Sequence, residues 1–129
     1  MNPLNILVIE DDIDFADSLL LTLKASGHNV TVTHNWLSVM SKLRTEDFDL
    51  IVADVETPTG NGLTALEFLN QDESVGKIKK VFVTGRDDVE TLRRCREMNA
   101  GYLHKSPNVF ADLGKLVWSI SNSVELADA

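Results

Sequence analysis

Along the chain, short unbroken apolar runs alternate with segments whose apolar residues recur every three or four positions. This is the pattern of parallel strands joined by crossover helices. Ile6 to Ile9 is one such run, as expected for a central strand buried on both faces, and it stops abruptly at Glu10-Asp11-Asp12. Ala16, Leu19, Leu20 and Leu23 follow at helical spacing, with Gly27 where a C-terminal cap belongs. Val30 and Val32 alternate with threonines as in a half-exposed strand, and Trp36, Val39, Met40 and Leu43 return to helical spacing. Leu50 to Ala53 is a second apolar run ending in Asp54, after which the turn residues Pro58, Gly60 and Gly62 precede Leu63, Leu66 and Leu69. Val81 to Val83 ends at Thr84-Gly85, and Asp87 or Asp88 can cap a helix that turns Leu92 and Cys95 inward. Tyr102 and Leu103 lie on a strand ending at Lys105, and Phe110, Leu113, Val117, Ile120 and Val124 mark a fifth helix.

Five strand–helix units predict an α/β domain, and 129 residues with 43% hydrophobic content suffice for one core but not two. A single domain over 1–129 is expected, with no reason for order in the tail from about Glu125. The net charge of −8 argues against direct nucleic-acid binding, because a phosphate backbone repels an acidic surface. One cysteine, Cys95, excludes an internal disulfide and points to a reducing cytoplasm. No stretch reaches the roughly 18 apolar residues of a membrane span, and Met1-Asn2-Pro3 opens no signal peptide, so a soluble cytoplasmic protein is expected. His28, His34 and His104 lack the mutual spacing of a metal site and are expected on the surface or on strands.

In open parallel sheets the ligand site lies beyond the carboxyl ends of the strands. The residues there are Glu10-Asp11, Asp54, Thr84 and Lys105. Three carboxylates aimed at one place repel one another, an arrangement that makes sense around a hard dication such as Mg2+. A lysine at the same edge can hold a phosphate as a point charge, a threonine hydroxyl can bond one of its oxygens, and an aspartate among them can act as nucleophile.

These residues resemble a response-regulator receiver domain of two-component signalling over essentially the whole chain. The acidic pair follows the first strand, Asp54 is followed at the family's spacing by Pro58 and Gly62, Thr84-Gly85 ends the fourth strand, and Tyr102 precedes Lys105 by three positions. The resemblance implies a flavodoxin-like, doubly wound sheet of order 2-1-3-4-5 with five helices. It implies that Asp54 is the phosphoacceptor, that Asp11 binds Mg2+ directly with Glu10 acting through water, and that the Glu56 backbone carbonyl is a further ligand. Thr84 would move toward the phosphoryl group, Tyr102 would rotate inward, and the readout would be the face of the fourth helix, fifth strand and fifth helix. The donor would be a histidine kinase or phosphotransfer protein, and the recipient of the signal an unknown downstream protein. Only self-phosphorylation and self-dephosphorylation are expected, without turnover of an external substrate. The chain is expected to be a monomer or weak homodimer, away from membranes.

One departure from the family pattern is Ser106, which stands between Lys105 and Pro107 where proline usually follows the lysine directly. A cis Lys105-Ser106 bond would cost about 3 to 4 kcal/mol, so a shifted loop is the cheaper solution, with Ser106 as cap and Pro107 opening the last helix. Asp12, third in the acidic run, is expected to cap the first helix. Glu56 and Arg86 lie two positions beyond Asp54 and Thr84, and both should overhang the pocket. A guanidinium held there by Glu56 would crowd the water needed to hydrolyse an aspartyl phosphate, making the pair a gate. Two other readings exist: a degenerate receiver that binds proteins without phosphorylation, and a haloacid-dehalogenase-like phosphatase, whose nucleophile motif Asp54-Val55-Glu56-Thr57 faintly resembles. Against the latter, that family's second acid is normally aspartate and its members need a longer chain.

Overall fold

A computed structural model of the chain describes residues 2–57 and 60–128, and the side chains of these except Thr57 and 124–128. Five parallel strands, β1 (Asn5–Ile9), β2 (Asn29–Thr33), β3 (Leu50–Ala53), β4 (Lys79–Thr84) and β5 (Gly101–His104), form a sheet of order β2-β1-β3-β4-β5. The helices are α1 (Ile13–Ala25), α2 (Val39–Thr45), α3 (Gly62–Leu69), α4 (Val89–Glu97) and α5 (Val109–Asp128).

Side chains alternate across the pleat, so each central strand feeds two cores. Ile6, Val8, Leu50, Val52, Val81 and Val83 meet Leu19 and Leu23 of α1 and Val109, Leu113 and Val117 of α5. Leu7, Ile9, Ile51, Ala53 and Phe82 meet Val39 of α2, Leu63, Leu66 and Leu69 of α3, and Cys95 of α4. Each fully buried leucine or isoleucine contributes about 1.5 to 3 kcal/mol relative to exposure, which fixes the strands' register and thereby where each one ends.

Helix ends follow the expected chemistry where a side chain can cap them. Asp12 accepts from the Phe15 N–H at 3.0 Å and Asp88 from the Thr91 N–H at 3.0 Å. At the end of α1, Gly27 takes φ 92°, its N–H bonds Lys24 O, and the His28 N–H bonds Leu23 O, a Schellman closure.

Several details depart from the sequence pattern. A 3-10 turn, Trp36–Ser38, leads into α2, and a helical turn, Glu73–Gly76, follows α3. The chain after β3 folds into a two-residue antiparallel ladder, Glu56–Thr57 against Gly60–Asn61, around residues that include Pro58, which lies outside the described residues. Helix α5 begins at Val109 rather than just after Ser106; Ser106 to Val109 is instead a turn closed by the Val109 N–H on Ser106 O at 3.1 Å, with Pro107 at the position where its fixed φ suits a turn. The side chains of Val124 and of the tail from Glu125 lie outside the described residues. His28 is neither on the surface nor on a strand. It is 4% exposed and its Nδ1 accepts from the Leu4 N–H at 3.0 Å. Lys80 enters β4 buried, its ammonium donating to the carbonyls of Val75 at 2.9 Å and Ile78 at 2.6 Å, while burial lowers its pKa. No helix among the described residues is long and apolar enough to cross a membrane.

Candidate functional site

The site stands on the carboxyl edge of the sheet, and the sheet's own hydrogen bonds place it. Glu10, Asp54 and Lys105 are each the first residue past a strand, and each still donates its backbone N–H to the neighbouring strand: Glu10 to Thr33 O at 3.0 Å, Asp54 to Ile9 O at 3.1 Å, Lys105 to Thr84 O at 2.8 Å. Their Cα positions are therefore as fixed as the ladder, while their side chains have left the core.

One carboxylate oxygen from each of Glu10, Asp11 and Asp54 lies within 4.8 Å of the others. Glu10 is 2% exposed and Asp54 8%. Burial pushes the Glu10 carboxyl up to about 7; hydrogen bonding to Lys105 opposes the rise and the Asp54 charge adds to it. Lys105 reaches the acids despite the Ser106 insertion. Its Nζ donates to Glu10 Oε1 at 2.7 Å and Asp54 Oδ2 at 2.9 Å, over the Phe15 ring at 4.5 Å from the centroid. Burial alone would lower the lysine's pKa, but the bonds to Glu10 and Asp54 outweigh it and the net shift is upward.

Asp54 is also held from the other side, where its Oδ1 accepts weakly from the Glu56 N–H at 3.4 Å. Helix α3 starts close behind it. The Gly62 N–H bonds Val55 O at 2.5 Å, and a Cβ at position 62 would collide with the Asp54 carbonyl and stand 2.9 Å from Trp36 Cζ2. Trp36, which the sequence leaves without a relation to the site, thus packs on the loop that carries it.

On the β4 side, Thr84 is 1% exposed and its Oγ1 accepts from the Arg86 N–H at 3.2 Å. Tyr102, on β5, donates its hydroxyl to the Arg86 carbonyl at 2.6 Å. The Arg86 guanidinium bonds Glu56 Oε1 through Nη1 at 2.7 Å, so the two loop residues singled out by position do meet, and it bonds Asp88 Oδ1 through Nε at 3.0 Å. Sequence reasoning missed Asp88 as a partner, because its capping role alone explains its presence. It also missed Phe15 under Lys105, and His34, whose Nδ1 donates to the Glu10 carbonyl at 3.0 Å.

Chemically, this is a buried carboxylate with two further acids and one ammonium against it. The response regulator receiver domain model matches residues 6–113. The chain belongs to that family. Receiver domains are signalling domains, and this one is similar to the transcriptional activator protein IrlR of Burkholderia pseudomallei, 30% identical over 117 residues, covering 91% of this chain and 50% of that protein. It is also similar to the probable histidine kinase 1 of Oryza sativa subsp. indica, 32% identical over 78 residues, 58% of this chain and 8% of that protein. Among solved structures, the non-phosphorylated HemR receiver domain of Leptospira biflexa superposes with a TM-score of 0.81 at 26% identity, covering 93% of this chain and 95% of that one. The receiver domain spans about half or less of the length of the curated relatives it matches.

The donor set suits Mg2+. Three hard carboxylate oxygens converge within 4.8 Å, and Glu10, driven toward its neutral form by burial and by Asp54, is a carboxylate that a dication would keep ionised.

Proposed function

We propose that the chain accepts one phosphoryl group on Asp54, in an Mg2+-dependent transfer from a phosphorylated histidine of a kinase or phosphotransfer protein. The observation that carries this reading is Asp54 itself, pinned at the end of β3 beside Glu10 and Asp11 with the Lys105 ammonium 2.9 Å away. Glu10, Asp11, Asp54 and the Glu56 backbone carbonyl are the groups that would hold Mg2+, Glu10 through water. The ion supplies neutralisation of charge on the transferring group.

An Asp54 carboxylate oxygen attacks phosphorus while the bond from phosphorus to the donor nitrogen breaks, and the electron pair leaves with the donor imidazole. Lys105, now bonded to Glu10 and Asp54, offers its ammonium to a phosphoryl oxygen once Asp54 is phosphorylated. The Thr84 oxygen accepts from the Arg86 N–H and so keeps its own proton to donate to another. Thr84 and Tyr102 would then carry the change to the α4–β5–α5 face, where a downstream protein reads it. Turnover stops at self-phosphorylation and self-dephosphorylation. Glu56 and Arg86, paired at 2.7 Å on the two loops that flank Asp54 and Thr84, act as a gate that slows entry of the hydrolytic water for as long as the loop keeps its resting conformation.

Incubation with acetyl phosphate and Mg2+, followed by mass spectrometry, tests the assignment. One phosphoryl group is expected in wild type, and none in Asp54→Asn or after chelation of the metal. Wild-type labelling in Asp54→Asn removes Asp54 as the acceptor, and an unlabelled wild type leaves the phosphorylation-independent binding module as the reading.

A further inference from the structure

We propose that Arg86 is a positioning residue, a clasp whose side chain holds the β4–α4 loop in its resting conformation and so sets how readily the switch occurs. This rests on the receiver reading of Asp54, Thr84 and Tyr102 given above. No other residue described here touches so many of the parts that have to move. Its N–H is on the Thr84 hydroxyl and its carbonyl takes the Tyr102 hydroxyl, while its guanidinium is anchored to Glu56 on the loop after β3 and to Asp88 at the N-cap of α4.

The geometry separates what moves from what restrains it. Inward rotation of Tyr102 requires its 2.6 Å bond to the Arg86 carbonyl to break, and any shift of Thr84 displaces the Arg86 N–H or loses it. Packing offers little resistance, since a Cβ placed on Gly85 would find no atom within 4 Å. Beside these two backbone bonds and the one His104 Nε2 makes to Gly85 O at 3.2 Å, the loop is fixed by the pair of ion pairs made by the Arg86 side chain. Both are exposed, with Arg86 at 41%, Glu56 at 65% and Asp88 at 41%, and an exposed pair of this kind biases an equilibrium by about 1.4-fold to fivefold. A bias of that size suits a poised element. It favours the resting loop without locking it, and ions in solution screen it.

The variants separate the charges from the fold. Glu56→Gln keeps the shape of the side chain, Asp88→Asn keeps a competent N-cap, and Arg86→Ala keeps both backbone contacts. The readout is the amide shift of Gly85 and Tyr102 in Mg2+-loaded protein, scaled between wild type without and with beryllofluoride. Glu56→Gln and Asp88→Asn should each raise the switched population before any phosphate mimic is added, by about 1.4-fold to fivefold, and Arg86→Ala by roughly the product of the two. Raising NaCl should move wild type in the same direction and leave Arg86→Ala where it stands, a response that a merely structural residue would not give. A wild type that responds to beryllofluoride, with all three variants starting from wild-type resting shifts, overturns the clasp alone. A wild type whose Gly85 and Tyr102 amides ignore beryllofluoride overturns the phosphoacceptor reading, and the clasp with it.

Discussion

At position 62 a hydrogen in place of a methyl group lets helix α3 start against the backbone of Asp54. A Cβ there would overlap the Asp54 carbonyl and crowd Trp36, and neither neighbour is the free end of a flexible chain. Gly62→Ala should therefore push the loop after β3 outward, costing about 1 to 3 kcal/mol, the usual range for overpacking a well-filled site. Urea denaturation measures the cost and the rate of acetyl phosphate labelling the displacement of the loop; an unchanged midpoint would show that the loop yields freely. The sequence marks Gly62 as a turn residue, but the structure places it inside the helix, where it serves close approach rather than backbone freedom. Lys80 and His28 were hidden for a related reason. A buried ammonium held by two carbonyls, or a buried imidazole that accepts one backbone N–H, leaves no periodicity, because its partners are main-chain atoms with no residue signature.

At the scale of elements, the strands were legible because each buried run stops at a polar residue, and those stops are the site. Glu10, Asp54, Thr84 and Lys105 all stand where the sequence put them relative to their strands. The short ladder Glu56–Thr57 with Gly60–Asn61 was not legible, since two residues per strand carry no alternation, and the start of α5 slipped because Pro107 suits a turn as well as a first helical position. The ladder matters for lifetime. It presents Glu56 to Arg86 from a paired backbone rather than a loose loop, so the proposed gate has a firm hinge on that side. Arg86→Ala and Glu56→Ala should each speed loss of the phosphoryl group by more than about twofold, a barrier change near 0.4 kcal/mol. Decay followed by mass spectrometry after removal of the donor gives the answer, and rates within twofold of wild type would retire the gate.

The molecule as a whole should respond to pH through His28, which is far from the chemistry in function. Burial holds its pKa below the usual value of about 6.5, so in the folded state it stays neutral to lower pH than in the unfolded chain. As pH falls through about 6.5 the unfolded state takes up a proton first, and the stability that neutral His28 contributes is lost toward the folded pKa. Glu10 works in the opposite sense between its ordinary value of 4.5 and about 7, so the comparison must cancel it. His28→Asn keeps an acceptor for the Leu4 N–H but cannot titrate. The stability advantage of wild type over His28→Asn, from urea midpoints, should shrink between pH 7.5 and 5.5, and a constant difference would refute the account.

The ammonium of Lys105 meets Glu10 across 95 positions of sequence and Asp54 across 51. No local segment can therefore assemble the site, and a chain folded only as far as β4 would hold three mutually repelling carboxylates at one edge with no cation of its own against them. Chemical competence arrives with the last strand. Under the proposed function, uptake of a phosphoryl group is then also a certificate of completed folding, and half-made copies stay silent to the donor.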